Sequence, residues 1–190
     1  MAGGDRPLRA DAQRNRERLL DVAVRAFSRS QGGPEPTLEA IAREAGVGIG
    51  TLYRHFPTRE ALVEAAYRSE LAKLCDPVPE LIASMPPDRA LRAWMDRFVD
   101  YMTTKRGMAD ALRQVVASGG NPYVHSRVKL TSAVSALIDA GARAGTVRAD
   151  VDPADVLAGL TGVTLVAGGA ENRAQAGRVL DLLMDGLRSR

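Results

Sequence analysis

The sequence is an almost unbroken series of amphipathic helical segments, and strand patterns are scarce in it. From residue 11 to about residue 30, apolar side chains recur at the three- and four-residue spacing of one helix face. Aromatic residues make up only 4% of the chain, and no alternating run of β-branched residues exceeds a few positions. Clusters of glycine and proline separate the segments. The sequence therefore predicts an all-α fold of about nine helices.

Glycine and proline residues, which interrupt helices, and capping residues predict where the first helices lie. Thr37 caps a short second helix over 38–45, which Gly46 ends. A third helix over 49–55 stops before Pro57, and Thr58 caps a fourth that extends to residue 75. The prolines between 77 and 87 predict a loosely structured stretch. The later helices are expected at 89–105, 108–117, 122–143, 153–166 and 172–188.

Composition limits the classes of protein that this chain can belong to. Its 190 residues are 45% hydrophobic and 26% charged, with a net charge of +3, which is typical of a globular protein. The N-terminus has no apolar signal segment, and no run approaches 18 apolar residues, so we expect no membrane partner. Cys75 is the only cysteine, which favours a reducing, cytoplasmic location.

The stretch GVGIGTLYRHFPTREAL, residues 46–62, has three glycines in its first five positions. It could be a glycine-rich loop that binds a cofactor phosphate, or two helices joined by a tight turn. A dinucleotide-binding loop needs G-x-G-x-x-G after a strand, but Thr51 stands at the third glycine position and a helical pattern precedes Gly46. A phosphate loop would need Gly-Lys-Ser or Gly-Lys-Thr, which the sequence lacks. Two short helices joined by a tight turn, a helix-turn-helix unit, fit better.

The third predicted helix has the composition of a helix that contacts DNA. Leu52 and Phe56 are expected to face the core, while Tyr53 and Arg54 stay outside with Thr51 and His55. Hydroxyl, guanidinium and imidazole groups bond well to phosphate oxygens and base edges. The pattern therefore favours a DNA-binding helix over a core helix.

The segment TLEAIAREAGVGIGTLYRHFPTREALVEA closely resembles the N-terminal DNA-binding domain of the TetR family of bacterial transcriptional regulators, with similarity from residue 19 to about 67. The resemblance implies a helix-turn-helix DNA-binding domain with a basic arm over 1–57. A ligand-binding and dimerisation domain is implied over 58–190. It also implies a ligand-responsive homodimer, most simply a repressor, that binds a palindromic operator and is released by a small-molecule effector.

Carried over by position, the resemblance implies that Thr37, Tyr53 and Arg59 hold phosphates, and that His55 does the same or borders the groove. Base edges would be met by Gly50, Thr51 and Arg54. Arg43 and Gly48, at positions where the family is variable, complete the expected DNA-binding set. The alternatives are that Tyr53 packs on the fourth helix, that His55 caps the third and that Arg54 is only solvated.

Basic residues also crowd the N-terminal arm, where Arg6, Arg9, Arg14, Arg16 and Arg18 stand among three acidic residues. This arm either reaches a minor groove and flanking phosphates or only solubilises the chain.

The rest of the chain predicts a dimer interface and a ligand pocket. The last two helices are apolar on two sides, so one side can face a second copy in a four-helix bundle; a wholly internal helix pair is the alternative. The expected interface residues are Leu157, Leu160, Thr161, Thr164, Leu165, Val179, Leu182, Leu183 and Leu187. The expected pocket residues are Trp94, Phe98, Met102, Met108, Leu112, Val116, Tyr123 and Arg127. This part loosely resembles the SbtR-like C-terminal class of the family.

No pattern in the sequence predicts catalysis, a metal site or a cofactor. G-x-S-x-G and H-E-x-x-H are absent, and the chain has only two histidines. We therefore expect a regulator and not an enzyme. The alternatives are a helical small-molecule binding protein or enzyme with a vestigial helix-turn-helix, and an architectural DNA binder with little sequence preference.

Overall fold

The structure, a computed structural model, describes residues 5–30, 33–166 and 172–189. Within these ranges it confirms the all-α fold, and the only extended pairing there is an isolated bridge between Val147 and Arg188. The described residues form ten helices: α1 Asp5–Arg29, α2 Leu38–Glu44, α3 Ile49–His55, α4 Arg59–Cys75, α5 Val78–Ser84, α6 Pro87–Gly107, α7 Ala109–Ala117, α8 Ser126–Arg143, α9 Pro153–Val166 and α10 Arg173–Leu187.

Three of these helices depart from the sequence prediction, and one of them, α8, begins at Ser126, four residues after its predicted start. The stretch expected to be loose contains α5, because Pro79 lies in its first turn, where a missing N–H breaks no helical bond, and Val78 and Leu81 bury their side chains. Helix α1 begins at Asp5, six residues before the predicted start, so the backbone of the N-terminal arm is helical from that point.

The chain folds as two compact units. The first, called here the reading unit, contains Met1–Ser69 and Thr104–Pro122, and the second, the body unit, contains Glu70–Thr103 and Tyr123–Arg190. The predicted division by function, at residues 57 and 58, remains a prediction.

The reading unit is built on three mutually packed helices, α1, α2 and α3. Its buried side chains include Phe27 of α1, Ile41 of α2, and Leu52 and Phe56 in and after α3. The inward positions predicted for Leu52 and Phe56 are therefore confirmed. With no polar group on these side chains, burial against each other fixes how α3 lies on α1 and α2.

Capping bonds set where α2 and α4 begin. The Thr37 hydroxyl accepts a hydrogen bond from the Ala40 N–H at 3.1 Å, and the Thr58 hydroxyl accepts one from the Ala61 N–H at 3.1 Å. Both caps confirm the sequence prediction. Each satisfies a backbone donor that the first helical turn leaves without a partner.

The turn between α2 and α3 is closed by backbone bonds around Gly46. The Gly46 N–H donates to the Arg43 carbonyl at 3.1 Å, and the Val47 N–H donates to the Ala42 carbonyl at 3.0 Å. This pair of bonds is the Schellman arrangement that ends many helices. Gly46 has φ of 67°, the left-handed region in which a side chain is strained. The sequence prediction that Gly46 ends α2 is confirmed.

The body unit is a bundle in which α9 packs on both α8 and α10, and α5 packs on α8. Trp94 and Phe98 of α6 are buried with ring centroids 5.6 Å apart, and the Trp94 indole N–H donates to the Leu74 carbonyl at 3.1 Å. Among the described helices, none combines the length and the apolar character that a membrane span requires.

Candidate nucleic-acid interface

The outer surface of α3 carries polar side chains in the arrangement that the sequence predicted. Tyr53 is 45% exposed and Arg54 is exposed, while Thr51 and His55 are partly exposed. Exposure of Tyr53 disfavours the alternative in which this ring is buried against α4. The His55 ring lies 6.1 Å from the Phe56 ring, and Phe56 rather than His55 is the C-cap of the helix. Helix α3 therefore presents a hydroxyl, a guanidinium and an imidazole to its surroundings.

Gly48 and Gly50 have no side chains, so little but backbone stands at the surface at the start of α3. Both are exposed, and a Cβ built on either one would meet no protein atom within 4 Å. Neither residue is thus required to be glycine by packing inside the protein. The space beside Gly50 is open for an external group to approach the α3 backbone closely.

Two other residues that the sequence predicts to contact DNA lie at the ends of α2. Thr37 and Arg43, at the two ends of α2, are exposed. The α2 C-terminus also carries Glu44, whose carboxylate pairs with Arg25 at 3.4 Å and with Arg29 at 4.0 Å. These two arginines offset the one acidic group at the end of α2 that would repel a polyanion.

Arg59 is the one predicted phosphate-binding residue that does not face outward. Its Nη1 donates to the Pro36 carbonyl at 2.6 Å, and its Nη2 lies 3.0 Å from Glu35 Oε2. The guanidinium also stacks over the Phe27 ring, 5.0 Å from the centroid, and the side chain is only 22% exposed. In this structure Arg59 is bound by protein groups, because partners from α1 and from the loop before α2 surround it.

Part of the basic arm lies next to α3. The Arg16 guanidinium is 5.5 Å from the centroid of the Phe56 ring, a cation–π contact that ties α1 to the end of α3. Arg14 pairs with Asp11 on the same helix. The side chains of Arg6 and Arg9 lie outside the part of the chain that the structure describes. The sequence shows that Arg16 is basic, but nothing in its pattern predicts the contact with Phe56.

The residues predicted to line a ligand pocket differ in burial and belong to different units. Trp94, Phe98, Met108 and Leu112 are buried, and Met102 is partly exposed.

Three more predicted pocket residues have side chains at the surface. Val116 is half exposed, and Tyr123 and Arg127 are exposed. Val116 lies on the outer side of the short α7, and Arg127 lies on that of α8. The pocket itself remains a prediction.

The predicted dimer residues divide into an exposed and a buried group. Leu160 and Thr164 are fully or almost fully buried within the body unit. Leu165 and Leu182 are 74% and 69% exposed, and Thr161 is also exposed. The remaining members, Leu157, Val179, Leu183 and Leu187, are partly exposed.

A groove runs along this exposed side between α9 and α10. It has a volume of about 230 Å³ and is bordered by Gly159, Gly162, Val179 and Leu183 among others. Large exposed leucines beside a groove lined by glycine form a surface on which another helix can pack closely.

Among the described residues, no group of three or more histidine, cysteine or carboxylate side chains is arranged to hold a metal ion.

Comparison with known proteins gives two family matches. Residues 86–189 match the family described as "Transcriptional regulator SbtR-like, C-terminal domain", and residues 19–66 match "Bacterial regulatory proteins, tetR family". Together they span most of the chain, and the first alone covers more than half of it. The first match confirms the weak SbtR-like resemblance of the C-terminal part.

Similar solved structures extend over more than nine-tenths of the chain. A TetR transcriptional regulator from Streptomyces coelicolor is 58% identical, with a TM-score of 0.85, over 92% of this chain and 98% of that one. A TetR regulatory protein from Mycobacterium vanbaalenii is 38% identical, with a TM-score of 0.77, over 96% of this chain and 99% of that one. The match to an HTH-type transcriptional regulator of Staphylococcus aureus is 40% identical over 55 residues, or 29% of either chain.

Proposed function

This chain belongs to the TetR family of bacterial transcriptional regulators, a family of ligand-responsive DNA-binding proteins, and we propose that it is a homodimeric repressor. It binds a two-fold symmetric operator in the cytoplasm and leaves it when a small molecule binds. The observation that carries the proposal is the outward face of α3, where Tyr53 and Arg54 stand exposed on a helix anchored by buried Leu52.

The proposed contacts follow from the chemistry of that face. Helix α3 enters the major groove, with Arg54 and Thr51 near base edges and Gly50 where the backbone comes close. Tyr53, Thr37 and His55 bond to phosphates on either side, and Arg43 adds positive charge at the end of α2. Arg16, held by its contact with Phe56, is placed to meet flanking phosphates.

The proposed second copy packs on the exposed side of α9 and α10. Leu165 and Leu182 would be covered there, and the glycines of the groove allow close approach of the partner helices. A two-fold axis sets the same surface of each copy against the other. It would place two α3 helices on half-sites about 34–36 Å apart along the duplex.

Ligand release is proposed as a shift between two states of the dimer. An effector that binds one state better lowers operator affinity by no more than that difference in binding. We propose that it binds among the buried apolar side chains of α6, near Trp94 and Phe98.

The test is selection of genomic fragments by the purified protein, followed by sequencing of the bound DNA. The proposal predicts a shared sequence with two-fold symmetry, and the Tyr53→Ala variant should recover much less of it. Recovery of fragments with no common sequence would support an architectural binder instead. No DNA recovered by either protein would support a small-molecule binding protein.

A further inference from the structure

The loop that leads into α2 is fixed by one guanidinium. Arg59 donates to the Pro36 carbonyl at 2.6 Å and pairs with Glu35 at 3.0 Å, so it contacts the two residues that directly precede Thr37. Thr37 is the N-cap of α2 and accepts the hydrogen bond of the Ala40 N–H. The position of the cap is thus tied to a side chain at the first residue of α4.

A third helix of the reading unit joins the same cluster. The Gln114 side-chain amide, on α7, donates to Glu35 Oε1, the carboxylate oxygen that does not pair with Arg59. Glu35 therefore bridges α4 and α7. We call Glu35, Arg59 and Gln114 the loop clamp.

Arg59 would lose several contacts if it turned outward to a phosphate. Its Nε and Nη2 atoms are buried from solvent and have no hydrogen-bond partner, so Nη2 meets Glu35 only as an ion pair, and the guanidinium lies over the Phe27 ring. A phosphate contact would break the hydrogen bond to Pro36, separate the pair with Glu35 and uncover Phe27. The charge-assisted hydrogen bond to the Pro36 carbonyl, the ion pair with Glu35 and the cover over Phe27 favour the inward position, against the cost of two buried donors without partners.

We propose that Arg59 is a positioning residue, which holds Thr37 and the start of α2 in DNA-binding geometry through the loop clamp and makes no phosphate contact of its own. Glu35 and Gln114 share this role. The inference rests on the proposed function, because it concerns how the same DNA interface is shaped.

Salt-dependent DNA binding separates positioning from direct phosphate contact. A residue that neutralises one phosphate contributes about 0.9 to the slope of log K against log salt. We expect Arg59→Ala to lower affinity for the selected operator about 5- to 10-fold with an unchanged slope. A slope reduced by about one unit would overturn the proposal.

Two roles for Arg59 are compared, direct contact with a phosphate and positioning of Thr37 through the loop clamp. They predict opposite effects on operator affinity when the Glu35 charge is removed. If Arg59 held a phosphate, Glu35→Gln would free it from a competing carboxylate and raise operator affinity. If the loop clamp positions Thr37, the same change weakens the clamp and lowers affinity. Glu39→Gln is the matched control, because it removes the same charge four residues away, at an exposed position of α2, and should not lower affinity. Higher affinity for Glu35→Gln would overturn the proposal.

Gln114→Ala tests the part played by α7. We expect it to lower operator affinity as well, and we expect the Glu35→Gln, Gln114→Ala double variant to lose no more affinity than the weaker-binding of the two single variants, since both changes act through one carboxylate. Additive losses would overturn the role of Gln114.

A readout without DNA keeps this inference separate from the proposed function. Hydrogen exchange of the Ala40 amide reports the Thr37 cap directly, with Thr37→Ala as the reference for complete loss of the cap. We expect Arg59→Ala to speed this exchange toward the Thr37→Ala value. Unchanged exchange would overturn the positioning role, whereas a wild-type protein that fails to select DNA would overturn only the proposed function.

Discussion

The Val47 N–H donates to the Ala42 carbonyl across the turn between α2 and α3, at a distance of 3.0 Å. The bond spans Gly46, whose φ of 67° lets the chain reverse within three residues. The angle between the two helices, and hence the outward aim of Tyr53 and Arg54, depends on this turn.

Substitution of Gly46 tests that dependence. A Cβ in the left-handed region costs roughly 1–2 kcal/mol, so we expect Gly46→Ala to lower the free energy of unfolding by about that amount. Denaturant titration measures it. Gly48→Ala is the control, because Gly48 has φ of −70° and open space around it, and its unfolding free energy should be unchanged. Equal stability of both variants would contradict the role of the turn.

Arg54 is expected to distinguish one base pair. Arg54→Ala should reduce discrimination at that position by about 1–3 kcal/mol, because a bidentate guanidinium contact with a guanine is lost. The measurement is affinity for the operator and for a set of single base-pair variants. Arg89→Ala removes an exposed positive charge from the body unit and should leave the discrimination intact. Equal losses on matched and mismatched sites would show that Arg54 contacts only the backbone of the duplex.

The exposed leucine of α10 tests the proposed dimer. Leu182→Asp places two charges at a two-fold interface, and the loss of two buried leucines is worth about 3–6 kcal/mol. Sedimentation should therefore show a monomer at concentrations where the wild type is a dimer, with operator affinity reduced as well. Val128→Asp, at a residue that is 67% exposed on α8, should remain dimeric. Dimerisation of Leu182→Asp would contradict the α9–α10 surface.

The single thiol predicts a pH dependence. Burial raises the pKa of Cys75 to about 11, while Lys129 lowers it and Asp76 raises it by smaller amounts. Since the thiolate is the nucleophile, alkylation of the native protein near pH 8 should be much slower than that of the unfolded chain. Above pH 9 the unfolded thiol ionises and the folded one does not, so stability should fall from about pH 9 to 11. Cys75→Ser should remove that fall, and equal alkylation rates would contradict the shift.

The helix order, the Thr37 and Thr58 caps and the Gly46 turn could be predicted because each depends on residues close in sequence. The short helix α5 could not, since prolines that normally interrupt helices sit in its first turn. The inward position of the Arg59 side chain could not be predicted from the sequence either. The Phe27 ring that it covers, and Gln114, which donates to its ion-pair partner Glu35, lie far from Arg59 in the chain. Side-chain exposure on α7 and α8 likewise depends on packing that periodicity leaves open.

The most direct test of the account compares affinity for the selected operator with affinity for a scrambled duplex of equal length and composition, across a series of salt concentrations. A regulator that reads bases through α3 should bind the operator at least about 10³-fold more tightly at physiological salt, with affinity for both duplexes falling as salt rises. Equal affinity for the two duplexes at every salt concentration would contradict sequence-specific regulation by this chain.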